Sequence, residues 1–214
     1  MKIALIGGTG FVGTPTLAEL LSRGHEVTVL ARTPSKVPAQ PSVTVVQADV
    51  MDVAQVEKAI AGQDAVVSAF NPGWGEARIH DMFVQGTQAI FAGVKQAGVK
   101  RLLVVGGAGS LFVAPGVQLV DTPGFPVEYK QGALAAREAL KLIQKESTLD
   151  WTFLSPPIGL APGQRSGSYR VGADTLLPGV ADAPAGISVQ DLAVAIVDEL
   201  ENPQHIQKRF TVAN

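Results

Sequence analysis

The run Lys2-Ile3-Ala4-Leu5-Ile6-Gly7-Gly8-Thr9-Gly10-Phe11-Val12-Gly13 constrains this chain more than any other segment. A short apolar strand passes straight into a glycine-rich turn, and the turn passes into a helical pattern carrying Leu17, Leu20 and Leu21. Glycines let the backbone turn sharply and approach an anion. The helix N-terminus that follows offers unpaired N–H groups and the positive end of a dipole. Strand, turn and helix in that order predict a phosphate-binding joint. The spacing G-x-x-G-x-x-G is a variant of the dinucleotide fingerprint G-x-G-x-x-G. Gly7, Thr9, Gly10, Phe11, Val12 and Gly13 are therefore the expected pyrophosphate contacts, with the Thr9 hydroxyl serving either the ligand or the turn itself.

Strands and helices alternate through the rest of the chain. Strands are expected at Lys2–Ile6, Glu26–Ala31, Val43–Gln47, Ala65–Ser68, Arg101–Val105 and Trp151–Leu154, each short and apolar on both faces as buried parallel strands are. The clearest helical stripe holds Ile79, Met82, Phe83, Gly86, Ile90, Gly93, Val94 and Ala97, and its two glycines predict close approach to the sheet. Asp52 with Gln55, and Ser188 with Asp191, resemble capping boxes. Gly24, Gly62 and Gly98 stand where left-handed caps end helices. Repeated βα units with right-handed crossovers give an α/β fold with a doubly wound parallel sheet.

At 214 residues the expectation is one domain over 1–214, large enough to bury a core without disulfides. The chain has no cysteine, which excludes thiolate chemistry and cysteine-ligated metals. His25, His80 and His205 show no ligand spacing, so no metal is expected. His25 reads as part of a surface turn and His205 as part of a polar C-terminal segment. A formal net charge of −2 gives no electrostatic case for nucleic acid or an anionic membrane. The apolar opening stops at Gly7, too short for a signal-peptide core, and no apolar run reaches spanning length, so a cytoplasmic protein is expected. The low charged fraction, 17%, fits a large core or an added homodimer face.

Sites preferring NAD place a carboxylate at the end of the second strand, for the ribose 2′-hydroxyl; an arginine suits a 2′-phosphate. This chain has Ala31-Arg32-Thr33-Pro34-Ser35-Lys36 and no acid there. Arg32, with Ser35 and Lys36, favours NADP(H) over NAD(H). Asp49 and Val50, after the third strand, are placed for the adenine edge, with a plain loop acid as the alternative for Asp49. Ala69, Phe70 and Asn71, after the fourth strand, would run along the cofactor's middle. Trp74 follows them and walls a pocket, closes a lid or sits in a dimer interface. Two long Gly- and Pro-rich stretches, Gly106–Glu128 and Ser155–Gly186, follow strands and should lie at the carboxyl edge of the sheet, where ligands bind in this architecture. The second is read as a substrate region over 155–186. Its Arg165, Arg170 and Asp174 are read as solvated loop charges, with substrate orientation as the alternative.

The glycine motif, Ala48-Asp49, Gly106-Gly107-Ala108-Gly109-Ser110 and Ile187-Ser188-Val189 with Asp191 resemble the atypical short-chain dehydrogenase/reductases. More closely, they are similar to the NADH-flavin reductase-like group, near the NmrA-like and biliverdin reductase B-like proteins. Val120-Asp121-Thr122-Pro123, Trp151-Thr152-Phe153-Leu154-Ser155-Pro156 and Gly167-Ser168-Tyr169-Arg170 extend the likeness over essentially the whole chain. The resemblance implies an NAD(P)-binding Rossmann fold, with Gly107 and the Ser155 and Pro156 segment toward the nicotinamide end.

The chain departs from the classical members at the acid. They protonate a carbonyl with a Tyr assisted by a Lys four residues on, whereas four residues after Tyr129 stands Ala133. Lys130 would point about 100° away on a helix. Ser110 remains as a candidate hydrogen-bond donor, its alternative being a loop hydroxyl. Hydride transfer to an electron-poor ring needs proximity and stacking more than a dedicated acid. Leu111, Phe112, Phe125 and Trp74 suit a flat acceptor, or complete the core beneath the loops. The reading is an NAD(P)H-dependent reductase of a small-molecule acceptor such as a quinone or a flavin, with FMN or FAD as substrate. The alternatives are an NADP(H) sensor without turnover and a sugar-nucleotide epimerase or dehydratase.

Overall fold

The computed structural model describes residues 1–179 and 184–214. In chain order the elements are β1 (Lys2–Ile6), α1 (Gly13–Ser22), β2 (Glu26–Ala31), β3 (Val43–Gln47), α2 (Val53–Ile60), β4 (Ala65–Ser68), α3 (Ile79–Gln96) and β5 (Arg101–Val105). Then come β6 (Phe112–Ala114), β7 (Val117–Gln118), α4 (Val127–Ile143), β8 (Asp150–Ser155), β9 (Gly159–Ala161), β10 (Arg170–Gly172), β11 (Gly186–Ser188), α5 (Val189–Glu201) and β12 (Lys208–Ala213). Eight strands form one sheet in the order β10-β12-β8-β5-β4-β1-β2-β3, parallel throughout except for the β10–β12 pair.

Alternation along the strands builds two cores. Ile3 and Leu5 of β1, with Leu103 and Val105 of β5, face Leu17, Leu20, Leu192 and Ile196 of α1 and α5. Ala4 and Ile6, with Leu102 and Val104, face Val56, Ile60, Phe83, Ile90 and Ala139 of α2, α3 and α4. Both faces are covered, as a parallel sheet requires. The fold is the doubly wound Rossmann architecture. From β1 the chain winds to β2 and β3 on one side, then returns to β4 and β5 on the other. A crevice therefore opens at the carboxyl ends of β1 and β4, the switch point where ligands bind in such sheets.

The six expected strands are present, with β8 one residue longer at each end. Gly24, Gly62 and Gly98 all take positive φ at helix ends. Asp52 and Ser188 cap α2 and α5, accepting from Gln55 N and Asp191 N respectively. The return arm of each expected capping box goes elsewhere: Gln55 Oε1 accepts from Asp49 N, and Ser188 N donates to Asn214 Oδ1 instead of Asp191. Gly86 and Gly93 are close-contact positions, but not against the sheet. A Cβ at Gly86 would meet the Phe70 ring at 2.4 Å, and one at Gly93 would meet Val56 of α2 at 2.6 Å.

β12 lies in what reads as a polar tail. Its alternation is present, with Phe210 and Val212 on one core and Arg209 and Thr211 on the other face, but the charges of Lys208 and Arg209 mask it. His205 accordingly stacks on Phe210 at 4.4 Å and bonds Glu199, rather than standing in a solvated tail. His25 is also buried, its ring 2.8 Å from Glu201 Oε1.

The 155–186 stretch differs from expectation in part, and residues 180–183 of it lie outside the described residues. β9 pairs with β11, but residues 163–169 leave the crevice and strap across α1 and α5. Arg165 forks onto Glu19 of α1 at 2.7 and 2.8 Å. Asp191 of α5 accepts from Ser166 N, Gly167 N, Ser166 Oγ and Asn214 Nδ2. Arg170 bonds the Asn214 and Pro178 carbonyls, and Asp174 pairs with Arg209. The Arg165, Arg170 and Asp174 side chains are all exposed, as expected of loop charges, and each is also tied by hydrogen bonds to the folded body.

Candidate nucleotide site and the acceptor side of the crevice

The glycine turn is built so that only glycine fits at two of its three motif positions. Gly7 has φ +81°, and a Cβ there would stand 2.4 Å from the Ala69 carbonyl oxygen. A Cβ on Gly13 would stand 2.0 Å from the Gly7 carbonyl oxygen. Gly10 N–H closes the turn onto Gly7 O at 2.9 Å, and Thr14 N–H bonds Gly10 O at 3.0 Å. The amides of Phe11 and Val12, between those two bonds, have no partner among the described residues. No side chain caps α1 and no acid stands in its first turn, so its positive end is not neutralised locally. Thr9 is exposed, and Phe11 projects into solvent beside it. Donors, dipole and close backbone together fit a diphosphate.

Next to this turn, Arg32, Gln47, Ala48, Asp49 and Gln55 line an open groove of about 400 Å³ at the carboxyl ends of β2 and β3. Arg32 is exposed and joins no ion pair among the described residues. Ser35 and Lys36 are exposed on the short 3-10 turn that follows it. The floor is fixed from α2. Gln55 Oε1 accepts from Asp49 N at 2.9 Å, while Gln55 Nε2 donates to Asp52 Oδ2. Asp49 Oδ1 accepts from Met51 N at 3.0 Å and leaves Oδ2 toward solvent; Val50 is buried beneath. Backbone and side-chain hydrogen bonds from Gln55 hold the Asp52 carboxyl below its usual range.

The far side of the crevice is formed by the exits of β4, β5 and β8. Ala69 N–H continues the sheet onto Ile6 O, and Phe70 turns inward against Phe83. Asn71 Oδ1 accepts from Gly73 N at 2.7 Å, closing a side-chain turn that aims Trp74 at α4. Gly107 packs toward Ala136, and Gly109 toward Ala133, the residue standing four after Tyr129. Tyr129 itself is exposed on the first turn of α4. Ser155 and Pro156 are buried at the end of β8, and the Ser155 hydroxyl has no partner among the described residues.

Ser110 is not displayed to the crevice. It is 2% exposed, its hydroxyl lies 3.0 Å from Arg209 Nη1, and its carbonyl accepts from Arg209 and Gln118. The structure thus gives it an anchoring contact under the loop in place of the donor role expected at the nicotinamide. Leu111 is fully buried beside it as core, whereas Phe112 is only half-buried. Arg209 is the residue sequence reasoning missed here: it rises from β12 and holds Ser110 and Asp174 together. Tyr169 sits on α5, donating to Asp198; burial first, then that carboxylate, raises its pKa well above the phenol's usual value. His80 lies near Asp81 and Glu138 on the α3–α4 surface. Among the described residues no three His, Asp or Glu side chains gather as metal ligands, and no helix is long and apolar enough to cross a membrane.

The model of a family described as NAD(P)H-binding matches residues 7–203. The YwnB protein of Bacillus subtilis is 43% identical over 217 residues, covering 100% of this chain and 99% of that protein. A solved "putative epimerase" of Bacteroides thetaiotaomicron is 44% identical with a TM-score of 0.92, covering 99% of this chain and 96% of the other. A "putative NADH-flavin reductase" of Streptococcus pneumoniae is 32% identical with a TM-score of 0.85, covering 100% and 99%.

Proposed function

This chain belongs to the NAD(P)H-binding family, and from that membership we propose that it is an NADPH-preferring reductase of flat conjugated acceptors, flavins or quinones. The observation that carries the cofactor preference is Arg32, exposed and without an ion-pair partner among the described residues, on a groove whose one lining carboxylate, Asp49, comes from the end of β3 while the end of β2 carries none. A 2′-phosphate would meet a guanidinium there, in the charge-assisted geometry that arginine favours. The Phe11 and Val12 amides and the α1 dipole would hold the diphosphate, and Asp49 and Val50 would border the adenine. Ala69, Phe70 and Asn71 would follow the cofactor's middle, with Gly107 and the Ser155–Pro156 exit at its nicotinamide end.

When bound, the reduced nicotinamide supplies a hydride. The chain's own contribution is to hold donor and acceptor in contact and to exclude water from one face. No Lys stands four residues after Tyr129, and the hydroxyl of Ser110 is buried against Arg209. An acceptor whose reduced form takes its proton from solvent suits such a site better than a carbonyl does. The same reasoning favours the flavin reductase over the epimerase among the two relatives' names, because epimerisation needs a positioned acid–base.

The experiment is an NADPH titration of the purified protein with FMN or a simple quinone present. Nicotinamide fluorescence reports binding, and loss of reduced-nicotinamide absorbance above a protein-free control reports turnover. Saturable oxidation is expected. Tight binding of NADPH without oxidation of any flavin or quinone would overturn the reductase and leave the sensor reading.

A further inference from the structure

Trp74 is 56% exposed, yet it is not a loose loop residue. Its ring meets Tyr129 edge-on, with centroids 5.2 Å apart and planes at 86°. It also lies over Gly132, where a Cβ would fall 2.5 Å from Trp74 Cζ3. A glycine inside a helix costs about 1 kcal/mol relative to alanine. In the middle of α4 that cost is the condition for the indole to seat on the helix. The backbone turn through Asn71 and Gly73 delivers the ring to the same place. An exposed indole is thus held from below by Gly132 and from the side by Tyr129, while its remaining surface faces solvent.

The seat is continuous with the nucleotide crevice. The loop that carries Trp74 leaves β4 at Ala69, whose carbonyl packs against Gly7, lays the Trp74 ring on α4 and enters α3 at Ile79. The β5 exit lands on α4 one residue further on, where Gly109 meets Ala133. Trp74 and the β5 exit therefore flank the same stretch of α4, at the carboxyl edge where the crevice opens. An exposed indole seated by two contacts in such a place suits a planar ring bound by stacking, which is worth most when the platform loses little freedom on binding.

We infer that Trp74, seated on Gly132 and braced by Tyr129, is the stacking platform for the isoalloxazine ring of a flavin, and so a specificity residue of the acceptor site. The inference rests on the reductase reading above, from which it takes the acceptor class.

Riboflavin, which has the ring and no phosphate, is the probe. Its own emission falls when the ring stacks on an indole, and exciting the flavin directly leaves Trp151 out of the signal. Wild-type protein loaded with NADP⁺ should quench riboflavin saturably. Trp74→Ala should weaken that binding about 10-fold or more, and Trp74→Phe should recover part of it. Gly132→Ala, which improves the helix while displacing the indole, should lose quenching with a melting temperature unchanged or raised. NADPH affinity should stay at the wild-type value in all three variants.

Equal riboflavin affinity in wild type and Trp74→Ala would overturn the platform. So would failure of the wild type to bind riboflavin, or dissociation of a dimer by Trp74→Ala, which would make the seat a contact between two copies of the chain. The parent reading fails separately. Trp74-dependent quenching without NADPH oxidation supports the platform and sinks the reductase, whereas flavin turnover unaffected by Trp74→Ala does the reverse.

Discussion

Two residues divide the work of nucleotide recognition between shape and charge, and their substitutions should fail differently. Gly13 is sterically obligatory, because a Cβ would overlap the Gly7 carbonyl and there is only backbone to move. Gly13→Ala should lower stability by about 2 kcal/mol or more and weaken NADPH and NADH alike, read by thermal melting and fluorescence titration. Arg32 is exposed and carries no packing role, so Arg32→Ala should leave the melting temperature alone. A charge-assisted hydrogen bond to a 2′-phosphate is worth roughly 1.5–3 kcal/mol, so NADPH affinity should drop roughly 10- to 150-fold while NADH affinity holds. Equal losses for the two nucleotides would refute the 2′-phosphate assignment. The motif spacing announces Gly13 directly, whereas Arg32 is read from the absence of an acid as much as from its own presence.

At the scale of elements, the joint between α3, α4 and β8 is tied by one carboxylate. Glu146 accepts from Lys95 Nζ at 2.7 Å and from both Thr148 N and Oγ1 at 2.6 Å, while its carbonyl accepts from the Trp151 indole. The Lys95 and Thr148 hydrogen bonds pull the Glu146 pKa from 4.5 down to about 2. A pKa depressed in the folded state means the unfolded chain binds the proton more tightly. The stabilisation is therefore complete above pH 4.5 and is lost as the pH falls toward about 2. Glu146→Gln should be less stable than wild type at neutral pH, and the gap in urea midpoint should close across that acid window. A gap constant with pH would show that the tie does not titrate. Asp191 ties a second joint. Although burial opposes it, hydrogen bonds from Ser166, Gly167 and Asn214 hold its carboxyl below the ordinary range. Asp191→Ala leaves those donors without their acceptor and should cost about 2 kcal/mol, with faster proteolysis within 163–168 as the local readout.

Across the whole molecule, a buried ion pair joins the sheet to its last helix. Arg101 of β5 reaches Glu199 of α5 at 3.1 Å and Thr152 of β8 at 2.7 Å, and Glu199 also accepts from the amides of Gln204 and His205. Removing one member strands the other in low dielectric, so Glu199→Ala should cost about 3–5 kcal/mol. Adding Arg101→Met to it should recover part of that loss in denaturant unfolding. The sequence by itself determined the winding of this protein, because hydrophobic period and glycine punctuation are local signals. Five of the six expected strands match residue for residue, the caps at Asp52 and Ser188 hold, and the turn at Gly7–Gly13 stands where its spacing put it. Partners distant along the chain are set by packing, and only the tertiary structure decided those. It committed Arg165 to Glu19 across 146 positions, buried Ser110 under Arg209 across 99, and seated Trp74 on Gly132. Each of those choices depends on which side chains the folded sheet brings within a few ångströms, a quantity no periodicity encodes.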